Sequence, residues 1–368
     1  MVSSAYKVGF VIRRGGVLGG DLVQAQRTAE ALERLGVAVQ RIQDPSEIGR
    51  VNLVHAFNIW RPQEAYAVAK ACNQAGVPLV LSPIFWRDGE YEREGSSAMR
   101  RFTSGMMGEE GSARLKLIAK GVMEGDLLGL KVGLRGIRRT QAETIGLASA
   151  LLPNSESEME QLSKWLSISE FPKHFVVPNG VDASWPLNGG EERSSDDVVC
   201  VARIEPRKNL ARLAMACQKI GVRLRIVGPI ARHHHAYGRE LERRFGSGID
   251  LVGPIDHEHI PDLLSQYKVH ALVSWFETPG LANLEAAAAG CSLVVSDRGS
   301  VREYFDELVE YVDPQSVNSI ALGLTKALSA PRVTTLREIV IAKYNWDRIA
   351  RLTDQAYRTI LEQETENG

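Results

Sequence analysis

Apolar positions in this chain fall into two alternating patterns. Val8–Ile12, Val51–His55 and Leu79–Ser82 are short apolar runs and predict buried strands. Between them, Leu22, Ala25, Ala29, Leu32 and Leu35 recur three or four residues apart. That spacing predicts one apolar helix face, opening near Asp21 and closed by Gly36. Gln63–Ala75 predicts a second helix, and Ala150–Leu152 and Phe175–Val177 predict two more strands. A strand, a helix and another strand in sequence imply a parallel sheet with right-handed crossovers.

Residues 186–197 are polar, punctuated by Pro and Gly, and read as a linker. The alternation then restarts, with strands predicted at Val198–Ala202, Arg223–Val227, Ile249–Val252, Val269–Val273, Ser292–Ser296 and Val309–Val312. The expectation is α/β: a Rossmann-like doubly wound domain over 1–185 and a second over 198–346. Ligands in such sheets bind beyond the carboxyl ends of the strands, so two facing sheets would place a site in the cleft between them.

Composition narrows the function class. The 368 residues carry 44 Lys+Arg and 45 Asp+Glu, a net charge of −1, which excludes a protein that coats nucleic acid through overall charge. No apolar run reaches the ~18 residues of a membrane span, and residues 1–7 run straight into the first predicted strand, so no signal peptide is expected. Cys72, Cys200, Cys217 and Cys291 are far apart with apolar neighbours. They read as buried thiols in a reducing compartment, giving a cytoplasmic expectation.

Residues 95–112, rich in Gly, Ser and Met, interrupt the alternation and read as a mobile stretch. Residues 114–139 then hold seven basic and two acidic residues among many aliphatics. Such a stretch suits peripheral contact with the inner face of a membrane. A solvated helix packed on the sheet by its leucines is the competing reading, because Gly121, Gly125, Gly129, Gly133 and Gly136 weaken a long surface helix.

Candidate chemistry clusters in the second half. A buried strand leads to Glu277, Gly280 makes a tight turn, and a helix starts near Leu281. Backbone N–H groups at Gly280, Leu281 and Ala282 could hold a phosphate. Glu285 lies about one turn into that helix, and two carboxylates beside a phosphate suit a hydroxyl-rich ligand. Arg203 and Lys208 follow the first strand of the second domain, where two cations could neutralise a diphosphate leaving group.

Several motifs together are specific. Arg203–Asn209 resembles the pattern G/A-R-x-x-x-x-K-N, and Glu277 to Glu285 an E-x7-E motif followed by an Ala-rich helix. Pro178–Asp182 resembles P-N-G-V-D, Leu152–Ser155 an x-x-N-S segment, and Asn345-Trp346-Asp347 a usual terminal segment. In this order the chain resembles the retaining GT-B glycosyltransferases of glycosyltransferase family 4. The resemblance implies two facing Rossmann-like domains with a C-terminal helix, over 347–368, crossing back to the first. It implies a nucleotide-diphosphate sugar as donor and a saccharide or lipid-linked acceptor, in cell-surface polysaccharide assembly. Arg203 and Lys208 would hold the diphosphate, Glu285 the ribose, and Glu277 with Gly280, Leu281 and Ala282 the sugar and its phosphate. Gly19 and Gly20 would close over the diphosphate, and the base would lie near Gly253, Pro254 and Ile255. A sugar-nucleotide hydrolase or epimerase, or a non-catalytic nucleotide-binding subunit, are the alternatives.

Many relatives of that family end the strand equivalent to Pro78–Ser82 with a histidine, whereas this chain continues Ser82-Pro83-Ile84-Phe85-Trp86. His55 and Asn58 are therefore the acceptor-side candidates. His233-His234-His235 reads as a polar loop, since three consecutive histidines cannot all ligate one tetrahedral ion from a regular element. There is no Asp-x-Asp, so neither a metal nor a cofactor is expected. The Gly15–Gly20 turn departs from G-x-G-x-x-G, which argues against a dehydrogenase.

Overall fold

The computed structural model describes residues 6–11, 19–87, 89–91, 93, 108, 110–115, 117–119, 121–123, 125–168, 170–185, 195–278, 280–331 and 334–367. Of the predicted segments, Ile12, the turn residues Gly15–Leu18, most of 95–112 and linker residues 186–194 lie outside this set. The chain divides into two compact units. Unit 1 comprises 1–87, 102–180 and 346–368, and unit 2 comprises 88–101 and 181–345.

Unit 1 holds a five-stranded sheet in the order β2-β1-β3-β4-β5, all parallel. Its strands are β1 (Lys7–Val11), β2 (Ala38–Ile42), β3 (Leu53–Phe57), β4 (Leu79–Ser82) and β5 (Ala150–Leu151). β2 was not expected. It is an edge strand, and Ala38-Val39-Gln40-Arg41-Ile42 mixes polar with apolar positions because only Ile42 is buried. Phe175–Val177 is not a strand. The segment bonds to Leu151–Pro153 through Phe175 N–H at 3.0 Å and Val177 N–H at 2.9 Å, but forms only an isolated bridge at His174.

Helix Gly20–Arg34 packs against the last helix, Trp346–Asn367. Gly180 explains one predicted motif: a Cβ there would lie 2.5 Å from the Trp346 ring, so only glycine fits beneath the indole.

Unit 2 holds a six-stranded parallel sheet in the order β11-β10-β9-β6-β7-β8. The strands are β6 (Ser195–Val201), β7 (Leu224–Val227), β8 (Ile249–Gly253), β9 (Tyr267–Leu272), β10 (Ser292–Ser296) and β11 (Glu310–Val312). β6 begins three residues before the expected Val198, inside the predicted linker. Residues 181–185 also belong to this unit, where Val181 N–H donates to Tyr344 O at 2.7 Å. From β6 the chain winds outward through β7 and β8, and from β9 it winds the other way. The order therefore reverses between β6 and β9, which is where such sheets open a ligand crevice at their carboxyl ends. The helix Leu281–Ala288 buries Leu284, Ala286, Ala287 and Ala288 completely. Methyl-sized side chains let its backbone approach the sheet.

Candidate nucleotide-sugar site

Two loops leave the carboxyl ends of β6 and β9, adjacent strands at the reversal point of unit 2. They are tied together by backbone and side chain. Trp275 N–H donates to Arg207 O at 3.1 Å. Asn209 is buried and left-handed, with φ 57°. Its amide donates to Val273 O at 3.1 Å and Pro314 O at 2.8 Å. These contacts fix Lys208 on one loop facing Glu277 on the other.

Lys208 Nζ donates to Glu277 Oε1, and the two side chains are only 13% and 10% exposed. Burial acts to raise the Glu277 pKa, but the charges of Lys208 and Arg207 outweigh it and hold the carboxyl below its usual range. Arg203 joins a second cluster: Glu205 Oε1 accepts from Arg207 at 2.9 Å and from Arg203 at 3.5 Å. Glu205 shows the same balance, with burial overcome by Arg207, Arg203 and Lys208. Three cations therefore share two acids at one sheet edge.

Gly280 is the N-cap of helix Leu281–Ala288 and has φ 86°. A Cβ there would meet Glu277 Oε2 and Asn283 Nδ2, each at 3.1 Å, so glycine serves both backbone and space. Leu281 and Ala282 are partly exposed, and amides of a first helical turn have no intrahelical acceptor. Glu285 Oε1 accepts from His257 Nε2 at 2.8 Å, and its side chain is 14% exposed. Pro254 is exposed and Ile255 partly buried, directly after β8 and two to three residues before His257. Unit 2 thus brings Arg203, Lys208, Glu277, Gly280, Leu281, Ala282 and Glu285 onto one edge, with Pro254 and Ile255 on a loop tied to it through His257.

Three supporting residues had no assigned role in the sequence reading. Gly299 has φ 82°, and a Cβ there would sit 1.8 Å from Glu277 O. The next residue, Ser300, donates its N–H to that carbonyl at 3.0 Å. Gly228 has φ 146°, and its Cβ would lie 2.2 Å from Ala202 O, beside Arg203. His257 positions Glu285. The two glycines lie in Gly-containing turns after strands, which was the available signal.

The remaining candidates lie in unit 1. Gly19 caps helix Gly20–Arg34, and a Cβ on Gly19 would lie 2.5 Å from Asp21 Oδ1. Asn58, with φ 72°, donates to Asp21 Oδ2 at 2.8 Å and accepts from Trp60 N–H at 2.9 Å. His55 is 2% exposed. Its Nδ1 meets Tyr357 Oη at 2.6 Å and its Nε2 meets Ser82 Oγ at 2.9 Å. Burial drives its pKa down to about 3, so it is a neutral core residue with both nitrogens engaged. Of the three consecutive histidines, His233 and His234 occupy a turn and its end, and His235 opens a helix. Asp256, Glu258 and His259 bring ligand atoms within 4.8 Å of one another. All three are exposed, and we assign them no ion.

The family described as glycosyl transferases group 1 matches residues 188–352. A glycogen synthase of Mycobacterium tuberculosis is 28% identical over 196 residues, covering 50% of this chain and 47% of that protein. The chain thus spans about half the length of the curated relatives it matches. Among solved structures, a sucrose-phosphate synthase from Thermosynechococcus elongatus has a TM-score of 0.70 at 17% identity, covering 97% of this chain and 99% of that one. Anabaena HepE in complex with UDP and glucose has a TM-score of 0.66 at 16% identity, covering 96% and 100%. Residues 188–352, under half of the chain, thus match the glycosyl transferases group 1 family, and the fold is GT-B.

Proposed function

We propose that the protein transfers a sugar from a nucleoside diphosphate sugar to a saccharide or lipid-linked acceptor, with retention of configuration and without a metal ion. The observation that carries this reading is the Lys208–Glu277 pair at the reversal point of the unit 2 sheet, beside the N-terminus of helix Leu281–Ala288. The names of the relatives add support: one makes glycogen, and one was solved with UDP and glucose.

Each residue has a task in this mechanism. Lys208 and Arg203, with the amides of Leu281 and Ala282, neutralise the diphosphate as the glycosidic bond breaks, which is where preorganised charge contributes most. Glu285, held by His257, accepts from the ribose hydroxyls. Glu277 accepts from sugar hydroxyls through the oxygen not bound to Lys208. On the front face, the departing phosphate takes the acceptor proton, so no protein base is required there. That fits the engagement of both His55 nitrogens within the core. Cell-surface polysaccharide or glycolipid assembly is the proposed context.

Incubation with UDP-, GDP- and ADP-sugars tests the reading. One donor should be consumed slowly without acceptor and faster with one, and the product should keep the anomeric configuration of the donor. Consumption of none, with no binding of the bare diphosphates, would overturn it. Consumption with no gain from any acceptor would favour the hydrolase alternative.

A further inference from the structure

Six of the nine exposed large hydrophobic side chains among the described residues lie between 115 and 134: Leu115, Val122, Met123, Leu127, Leu128 and Leu134. They belong to one helical hairpin in unit 1. The described residues from 110 to 123 are helical, and a second helix spans Leu127–Arg135. The glycines that counted against one long helix instead build this pair. Gly125 turns the chain at φ 70°. A Cβ on Gly121 would lie 2.9 Å from Leu130 N, and one on Gly133 would lie 2.6 Å from Ile118 Cγ1. Small residues thus let the helices close tightly on each other. Asp126 caps the second helix by accepting from Gly129 N–H at 2.8 Å. At the other end, Arg114 donates to Gly133 O at 3.0 Å and Leu134 O at 2.9 Å.

A hairpin held this firmly has no need of exposed leucines for its own packing. Yet Val122, Met123 and Leu127, around the turn, are 69%, 84% and 71% exposed. The cations follow an ordered pattern. In the sequence Arg114, Lys116 and Lys120 precede the turn, and Lys131, Arg135, Arg138 and Arg139 follow it, against Glu124 and the capping Asp126; Lys116, Lys120 and Glu124 lie outside the described residues. Glu143 is shared by Arg135 and Arg139, so it cannot neutralise both. Apolar side chains at a turn with cations behind them on both arms match the layers of an anionic bilayer surface: acyl boundary first, then headgroup phosphates.

We infer that the hairpin tip, Val122–Leu128, docks into the surface of an anionic lipid bilayer, with the flanking cations on its phosphates. The occupant is the lipid surface rather than a protein groove, because cations outnumber acids along the two arms, with Arg114 on the first and Lys131, Arg135 and Arg139 on the second, while Arg138 meets Glu110 at 3.9 Å.

The test is co-flotation of the full chain with vesicles of phosphatidylcholine plus phosphatidylglycerol, against phosphatidylcholine alone, without donor. Wild type should float with the anionic vesicles and lose binding as salt rises. Met123→Ser/Leu127→Ser should lower partitioning about tenfold or more. Lys131→Glu should weaken it on anionic vesicles only. Since the altered side chains are exposed, thermal unfolding should be unchanged in all variants. The inference is overturned if wild type ignores anionic vesicles, if the double variant binds as well as wild type, or if the tip variant instead abolishes self-association of the chain. Consumption of a soluble donor is read separately, so failure here leaves the proposed transfer untouched, and the reverse.

Discussion

Replacing Lys208 tests the site most directly, because its partner is so deeply placed. Glu277 is 8% exposed, and two unit charges in contact near a protein surface attract by about 4 kcal/mol. Lys208→Met keeps the aliphatic stem and removes the charge. Breaking a buried pair by deleting one partner costs about 3–5 kcal/mol. The expected loss lies near the lower bound, because Arg207 also holds the Glu277 charge. The linkage sign follows from the depressed carboxyl. A carboxylate with a lowered folded pKa adds stability above its ordinary pKa and loses it as pH falls through the folded value. In Lys208→Met, burial acts on Glu277 with less opposition, so its pKa rises. The gap between variant and wild type should therefore be widest at neutral pH and narrow on acidification, once Glu277 of the variant takes up a proton. Urea unfolding at neutral and mildly acidic pH measures this, alongside Glu277→Gln and the double variant. Equal losses at both pH values, or single losses that add within about 0.5 kcal/mol, would refute the direct pairing. On catalysis, Lys208→Ala should cost about 2–4 kcal/mol of transition-state stabilisation. Donor turnover within a factor of two of wild type would remove Lys208 from the leaving-group site.

Other residues give independent outcomes. Glu285→Ala should weaken binding of the bare nucleoside diphosphate, whereas Glu277→Ala should mainly slow transfer, as calorimetry and turnover together would read; equal loss of affinity in both would reassign them. Gly299→Ala places a methyl against Glu277 O at a positive φ and should lower stability by about 2–4 kcal/mol, so an unchanged urea midpoint would contradict the packing. His55 and His270 are buried and held neutral, both with pKa near 3. The unfolded chain takes up their protons at the ordinary value, so each should remove about 2 kcal/mol between pH 7 and pH 5. His270→Gln should flatten that slope for unit 2, and an unchanged slope would mean the histidine is charged in the fold. Turnover should survive EDTA, and activity restored only by a divalent ion would refute the metal-free mechanism.

How much of this was legible in the sequence depended on where the relevant force acts. Interior strands such as Leu79–Ser82 and Ser292–Ser296 keep their predicted bounds because Leu79–Leu81 and Leu293–Val295 are unbroken apolar runs buried on both faces. The edge strand Ala38–Ile42 went unseen because solvent on one side permits Gln40 and Arg41. Near the site, residue types that bond directly were visible: Lys208, Glu277 and Glu285 lie in short motifs whose charges have an obvious use. What spacing could not reveal was closeness across sequence. Gly299 matters only because β10 lies beside β9 in the sheet and delivers its turn against Glu277 O. His55 looked available because it ends the predicted run Val51–His55, yet it lies inside β3, where Tyr357, 302 residues later, donates to or accepts from its Nδ1.

The glycines of 121–136 show the same limit from the other side. Read along the chain, they weaken a helix. Folded, two of them are the contact faces of a hairpin, one is its turn and one receives its cap. That change of role alters what the neighbouring leucines mean. On a single helix lying on the sheet, Val122, Met123 and Leu127 would be packing residues. At the turn of a closed hairpin they stay exposed among the described residues, and the docking inferred above gives that exposure a use.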